Sequence, residues 1–477
     1  MATAVVIGGG VSGLASAFYI QKFLPKYSKV ILLEGSSHIG GWVNTTIHPD
    51  GGIFEHGPRS LRPVGEQGRN TLQLADELGL SSYALPIFRS DAAAKNRYLY
   101  VKGKLCALPS SALSLFRTLP PFSKPLIASL VTEPFRFRSK ESDETIHSFV
   151  RRRLGQEVAD IAIDALCRGI FAGDCRYLSV AACLPPLHDM EQKHGSLCAG
   201  AIFGSKGPKF KTSGLTRRAE EDKWASWSLT YGLQQLTDAM AAAVTNTRGG
   251  EIRKDTRVTS IKSSPNGKAT VISESEGIEA DLVVSAIYSK DLAAILPTSM
   301  KELREDLSSL PSVNVVVVNL EYKDNVLPVK GFGHLLPSSE GGPVLGIVYD
   351  SCTFPEHNRK GCPDSTRITV MLGGSWYNQL LSPEGKLPSG PELVWIATQA
   401  AAKQLGIRSH PIRSHVSLQT ECIPQYRVGH VNWLAKVEQA VDQSNLPLKL
   451  VGSSYRGPAV NDCINNARKM VEAMRPV

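Results

Sequence analysis

The sequence predicts an α/β protein with a Rossmann-like domain, a second domain on a mixed sheet and an inserted α-helical segment. Three observations carry this. Ala4-Val5-Val6-Ile7 is a short apolar run that ends in glycines, residues 12–23 then show helical spacing, and Lys29 to Leu33 is a second apolar run closing in Glu34. Strand, glycine turn, helix and strand within about 30 residues make a βαβ unit. The C-terminus returns to the theme, with a strand from Leu448 to Gly452, a turn and a helix from about Val460. Between these ends lie two clusters of strand patterns, at 251–261 with 281–287, and at 313–321 with 344–350 and 368–372. Helical patterns are predicted at 65–93, 143–167 and 392–405, and a loop at 205–213.

A chain of 477 residues is too long for one ordinary core, so two or three domains are expected. The longest apolar candidate, Val313 to Leu320, is interrupted by Asn314 and Asn319, which excludes a membrane-spanning helix there and indicates a buried strand. Nine cysteines occur without a CxxC pair or a Cys/His cluster, so neither a metal site nor a disulfide framework is predicted. The first strand begins at about Thr3, so no cleavable presequence is expected. The net charge is +9, and residues 94–218 hold 20 Lys plus Arg against 10 Asp plus Glu, so the whole excess sits in one internal segment. Such a segment suits an anionic surface. It lacks the aromatic interleaving of single-strand binders, which makes nucleic acid the weaker partner.

The glycine turn carries the first chemistry. In Gly8-x-Gly10-x-x-Gly13, Gly8 allows a tight turn, Gly10 lets backbone approach a pyrophosphate and Gly13 packs helix on strand. Gly9, Val11 and Ser12 complete the loop at the helix N-terminus, whose free N–H groups suit phosphates. Glu34 is spaced to accept a hydrogen bond from a ribose 2′-OH, which argues against a 2′-phosphate. The loop alone leaves FAD and NAD open.

Gly35 and then Gly40-Gly41-Trp42 follow, and the Glu-x5-Gly-Gly spacing resembles the second signature of the flavin amine oxidase and desaturase superfamily; His38 stands near its usual basic position. Phe54-Glu55-His56-Gly57-Pro58-Arg59, with Ser60, is similar to that superfamily's turn beside the flavin. Tyr231-Gly232-Leu233-x-x-Leu236 resembles its Gly-Gly-Leu-x-x-Leu helix start, with Tyr231 in place of the first glycine. Thr256-Arg257-Val258 resembles its adenine-flanking strand. Val451 to Asp462, with Gly452, Gly457, Ala459, Val460 and Asn461, resembles the element that sets a helix N-terminus against the isoalloxazine. The resemblance implies one non-covalent FAD per chain, since the Ser-Gly-Gly-Cys segment of covalent attachment is absent.

Cys167 to Gly173, Gly331 to Leu335, Gly346 to Ser351, Val370 to Trp376, Cys422 to Tyr426, Asn96-Arg97 and Pro121 to Pro125 narrow this to a resemblance to the animal-type protoporphyrinogen oxidase family. It implies a six-electron oxidation of protoporphyrinogen IX by hydride transfer to FAD, with O2 as acceptor and H2O2 as product, in haem biosynthesis. Arg97 would pair with a substrate carboxylate. Phe332 and Leu335 would sandwich a pyrrole, Met371, Gly169 and Ile423 would line the cleft, and Arg59 would act electrostatically near the ring. No general base is nominated, because hydride transfer depends on position. Implied partners are an anionic inner-membrane lipid surface, a second copy of the chain and the next haem-pathway enzyme. The implied location is the mitochondrial inner membrane, peripheral on the intermembrane-space side. The corresponding domains are 1–64, 223–299 and 440–477 for FAD, 65–93 and 300–439 for substrate, and 94–222 for membrane. An FAD-dependent amine or polyene oxidase, or a prenyl-binding chaperone of the same fold, stays open as an alternative.

Overall fold

The computed structural model describes residues 2–203, 213–264, 266–274 and 276–475, so most of the predicted 205–213 loop lies outside the described residues. Five parallel strands form the first sheet, in the order Leu448–Leu450, Leu282–Ser285, Ala2–Ile7, Tyr27–Leu33 and Gly250–Arg253. Side chains alternate across it. Ala4, Val6, Leu32 and Val284 enter one core and Val5, Ile7, Leu33 and Val283 the other, so these strands are apolar on both faces. The first core lies under the helix Val11–Phe23, which packs along the C-terminal helix Val460–Glu472. The opposite core lies under the antiparallel strands Val258–Ser263, Ala269–Ser273 and Gly277–Ala280 and the helix His430–Gln443.

A seven-stranded mixed sheet forms the second body, in the order Arg413–Pro424, Ser312–Tyr322, Thr366–Gly373, Val344–Val348, Gly333–Leu335, Tyr98–Val101 and Lys104–Ala107. Its one parallel pairing joins Gly333–Leu335 to Tyr98–Val101. This corrects the predicted boundary at residue 94. Residues 98–107 are not part of the helical segment; they form a hairpin on this sheet. Lys102 and Gly103 both have positive φ, 51° and 76°, and such a two-residue turn matches the twist of the strands it joins.

The predicted helix over 65–93 is also corrected. It runs only through Gly65–Glu77, because Gly79 turns left-handed at φ +73°, and Ala84–Phe88 becomes a strand paired with Trp224–Leu229. Leu72, Leu74 and Ala75 of that helix join the core of the parallel sheet instead of the mixed-sheet domain assigned from sequence. The strand Arg413–Pro424 and the helix His430–Gln443 were not predicted.

The inserted helices include Leu126–Thr132, Ile146–Leu154, Asp164–Phe171, Pro185–His194 and Leu197–Phe203. A fully buried Glu133 ties them together. It pairs with the fully buried Arg153 and accepts hydrogen bonds from Ser196 Oγ at 2.6 Å, Leu197 N at 2.8 Å and Cys198 N at 3.1 Å. Each charge has its partner, the condition for burying such a pair without heavy cost. Among the described residues no helix is long and apolar enough to cross a membrane. All nine cysteines are free.

Candidate active site

The glycine turn has the geometry its sequence demands. Gly8 sits at φ +102°, and a Cβ on Gly13 would lie 1.8 Å from the Gly8 carbonyl oxygen, so helix and strand meet only without side chains. Gly10 differs. Its φ of −73° suits any residue, and a Cβ there would meet only Gly41 Cα, at 3.8 Å. The second glycine pair folds against the first, with Gly40 N donating to Gly9 O at 2.9 Å. Gly10 and Gly41 therefore line an open floor in front of a helix whose first N–H groups have no side-chain cap.

Glu34 stands at the end of its strand, where Gly9 N donates to Oε2 at 2.8 Å and Ser36 N and Oγ donate to Oε1 at 2.8 and 2.7 Å. Gly35 lies against Arg257, and Thr256 N donates to Glu34 O, so the chain leading into Val258 runs beside the end of the acid's strand. His38 turns its ring to Val43 O at 3.3 Å. Trp42 is partly exposed, and a Cβ on Gly57 would fall 2.0 Å from the Trp42 carbonyl oxygen, which seats Gly57-Pro58-Arg59-Ser60 on the second glycine pair.

The C-terminal element arrives at the same place. Gly452 turns at φ +114° beside Ser12, and Gly457 at φ +86° wraps the Asp462 side chain. Ala459 precedes the helix with no side-chain cap, so the N–H groups around Val460 and Asn461 form a second uncapped positive end. Asn461 Nδ2 donates to Arg62 O at 2.9 Å and locks this helix to the Arg59 turn. Two uncapped helix N-termini over a floor of facing glycines fit a dinucleotide: backbone donors stand over a surface that carries no side chain.

Tyr231 is 53% exposed, so replacing the first glycine of its motif costs nothing, whereas a Cβ on Gly232 would meet Thr45 at 2.2 Å. Leu233 N and Thr45 Oγ1 donate to the buried Glu55 at 2.6 and 2.7 Å. Burial pushes the Glu55 carboxyl up to about 7. Arg59 is 6% exposed and gives Nη1 to Asp350 Oδ1 at 2.7 Å, while its Nη2 has no partner among the described residues. Asp350 accepts a further bond from Thr369 Oγ1 at 2.6 Å.

The predicted substrate residues divide into contacting sets. Arg97 lies over the Phe332 ring, 5.3 Å from its centroid. A Cβ on Gly169 would sit 2.5 Å from Leu335 Cδ2, so those two residues touch because one is glycine. Beside Gly169, the buried Arg168 donates to Pro337 O, Gly342 O and Val344 O and stacks on Trp376 at 4.1 Å, fixing the helix Asp164–Phe171 to the mixed sheet. Met371 and Ile423 pack with Ala172, Val315 and Val317 in one apolar cluster. A cavity of about 470 Å³ opens next to them, lined by Val313, Asn314, Gln425 and Arg427 among others.

Sequence reasoning missed Asp350 and Glu55 as site residues, although both stand inside quoted motifs, and it missed Tyr426. The Tyr426 hydroxyl bonds to Ser453 O and accepts from Gly457 N at 3.0 Å, holding the C-terminal loop. Asp164, Asp174 and Cys175 cluster closely enough to suggest a metal, but Arg176 and Ser338 N already use the Asp164 carboxylate.

Comparison with known proteins agrees with this geometry. Residues 11–474 match the family described as flavin containing amine oxidoreductase. The chain is 45% identical to protoporphyrinogen oxidase of Homo sapiens, over 98% of this chain and 97% of that protein. It is 32% identical to protoporphyrinogen oxidase of Schizosaccharomyces pombe, over 98% of each. Cyclohexylamine oxidase from Brevibacterium oxydans IH-35A shares the fold across the full length of both chains, with a TM-score of 0.66 at 16% identity. The chain is thus a member of the flavin containing amine oxidoreductases and, within them, of the animal-type protoporphyrinogen oxidases.

Proposed function

We propose that the protein is an FAD-dependent oxidase that converts protoporphyrinogen IX to protoporphyrin IX in haem biosynthesis. The observation that carries this reading is Arg97 stacked on Phe332, a cation on an apolar wall with no acidic partner among the described residues. A tetrapyrrole with two propionates needs such a site: aromatic and aliphatic surface for the rings, and a guanidinium for a carboxylate. The names of the relatives, from human to fission yeast, support the same substrate.

When bound, the flavin supplies hydride acceptance and reoxidation by O2 with release of H2O2. The chain's own groups do the rest. The uncapped helix start at Gly10 would offer N–H donors to the pyrophosphate, and the one at Ala459 would favour negative charge on the ring. Glu34 would accept from ribose, and the Gly57–Ser60 turn would border the ring. Arg59, gripped by Asp350, lends positive potential from a buried position. Gly169, Leu335, Met371 and Ile423 would keep water away from the reacting carbon.

Exposed apolar side chains on the inserted segment support a membrane-docking reading. Leu113, Phe116, Val131, Ile202 and Phe203 lie open on neighbouring elements with Phe135 and Phe137, which are 83% and 91% exposed. Arg117, Lys124, Arg136 and Lys140 are interspersed with the first of them along the sequence. Clustered exposed apolar residues suit an interaction surface, and basic residues add about 1 kcal/mol each on anionic lipid. These residues support peripheral binding to an anionic membrane; the mitochondrial inner membrane, its intermembrane-space side, a dimer and transfer of product to the next enzyme are carried over from the family resemblance alone.

The test is aerobic incubation of purified protein with protoporphyrinogen IX, following porphyrin fluorescence and peroxide, with primary amines as the competing substrates. Peroxide with amines but no porphyrin would favour the amine oxidase alternative. A colourless protein that binds no flavin would favour the chaperone.

A further inference from the structure

The cavity of about 470 Å³ beside the Met371 and Ile423 cluster is lined by none of the residues assigned above to flavin or tetrapyrrole. It opens between the loop after the helix Asp164–Phe171 and one end of the mixed sheet, with Tyr177, Asn314, Tyr377, Asn378, Gln425 and Arg427 in its lining. Its chemistry differs from that of the reaction cleft. No ion pair or hydrogen bond among the described residues uses the Arg427 side chain, which lies over the Tyr177 ring, 5.8 Å from its centroid. The side chains of Tyr377 and Asn378 make no hydrogen bond among the described residues. Asn314 accepts from Glu421 N at 2.7 Å through Oδ1 and keeps its Nδ2 donor unused. Asp174, an acid in the same lining, accepts from Arg176 N at 2.9 Å.

The walls are fixed by bonds of their own. Leu178 and Arg427 form a β-bridge, and Val428 N donates to Tyr177 O at 3.3 Å, which holds the arginine backbone against the inserted segment. Gln425 is buried and donates Nε2 to Phe171 O at 2.9 Å and to Ile423 O at 3.1 Å, while its Oε1 accepts from nothing among the described residues. A Cβ on Gly374 would lie 2.2 Å from Ala172 O, and Ser375 N donates to that oxygen at 2.8 Å, so the opposite wall is equally set. A preformed hollow of this volume suits an organic molecule and is larger than an inorganic anion fills. The guanidinium fork without an acid calls for a carboxylate. Leu178, Val313 and the rings of Tyr177 and Tyr377 call for a flat apolar body, and the unused amide groups for polar atoms at its edge.

We propose that this cavity is a second binding site, separate from the reaction cleft, for an aromatic carboxylic acid whose carboxylate pairs with Arg427. The site shares Val313 with the apolar cluster of Met371 and Ile423, and Gln425 ties it to the end of the helix that carries Gly169. An occupant therefore bears on residues that also border the reaction cleft, without entering it.

The experiment titrates 2-naphthoate, and 2-naphthamide as its uncharged counterpart, into holoenzyme by calorimetry. Wild type is compared with Arg427→Gln, with Ser375→Trp, which places a large ring in the cavity from an exposed position in its lining, and with Arg97→Ala, which removes the cation of the reaction cleft. Naphthoate should bind once per chain, equally in wild type and Arg97→Ala. Arg427→Gln should weaken it about three- to fivefold, the range of a partly exposed charge pair, and leave naphthamide unchanged. Ser375→Trp should weaken both compounds more than tenfold. No naphthoate binding by wild type, equal affinity in Arg427→Gln, or equal losses for acid and amide in that variant would overturn the proposal. A loss in Arg97→Ala would place the acid in the reaction cleft and overturn it too. Should Arg427→Gln fail to retain flavin, Ser375→Trp decides: weakened binding supports the site, and unchanged binding overturns it.

Discussion

Replacing Gly10 by alanine separates what the glycine turn does for the fold from what it does for the cofactor. At φ −73° an alanine is unstrained, and its Cβ would meet nothing nearer than Gly41 Cα at 3.8 Å. By loss of unfolded-state entropy alone, the substitution should stabilise the flavin-free protein by about 0.4–1 kcal/mol. The same Cβ occupies the floor in front of the uncapped helix, where the pyrophosphate would lie. Losing two charge-assisted hydrogen bonds at about 1.5–3 kcal/mol each weakens flavin binding by about 3–6 kcal/mol, a hundredfold or more. Gly13→Ala is the control, because its Cβ would lie 1.8 Å from the Gly8 carbonyl oxygen and must force helix from strand. Flavin absorbance per chain after purification, with urea unfolding of the deflavinated proteins, reads both effects. Gly10→Ala should be colourless yet at least as stable as wild type, and Gly13→Ala should be colourless and unstable. Full flavin content in Gly10→Ala, or destabilisation matching that of Gly13→Ala, would refute the reasoning.

Arg97→Ala should raise KM for protoporphyrinogen about ten- to a hundredfold while kcat changes little, since it removes a contact made equally in ground and transition states; an unchanged KM removes Arg97 from the site. Glu55 should make stability fall with rising pH. Its carboxyl titrates near 7 in the fold against 4.5 for the ordinary group, so the folded state binds the extra proton between those values and its advantage is lost as pH climbs through that window. Relative to Glu55→Gln, wild type should lose up to about 3 kcal/mol between pH 4.5 and 8 by denaturant titration, and parallel pH profiles would contradict this. Asp350→Asn strands the buried Arg59 and should cost about 3 kcal/mol, while Arg59→Met in the same chain should restore part of it. Calorimetry of the three variants checks the coupling, and additive losses would deny it.

The cofactor half was legible because its signals are local. A positive φ near or above 90° favours glycine and a carbonyl within contact distance of the Cβ position requires it, and Gly8, Gly13, Gly57 and Gly457 announce such places in the letters themselves. Apolar runs on both faces likewise marked the parallel strands. The hairpin at 98–107 was hidden because its four-residue strands are too short for a period and lie in a basic stretch. The strand Arg413–Pro424 was hidden because its edge position leaves many side chains partly exposed, which dilutes the alternation.

By itself the sequence determined a glycine-built floor for a dinucleotide, an acid at the end of the second strand, and a concentration of positive charge in one segment. Only the tertiary structure decided how these are held. Arg59 meets Asp350 across 291 positions, and Asn461 meets Arg62 across 399. Such bonds depend on which loops the two sheets bring face to face, and that choice comes from packing of the whole chain, not from any neighbouring residues.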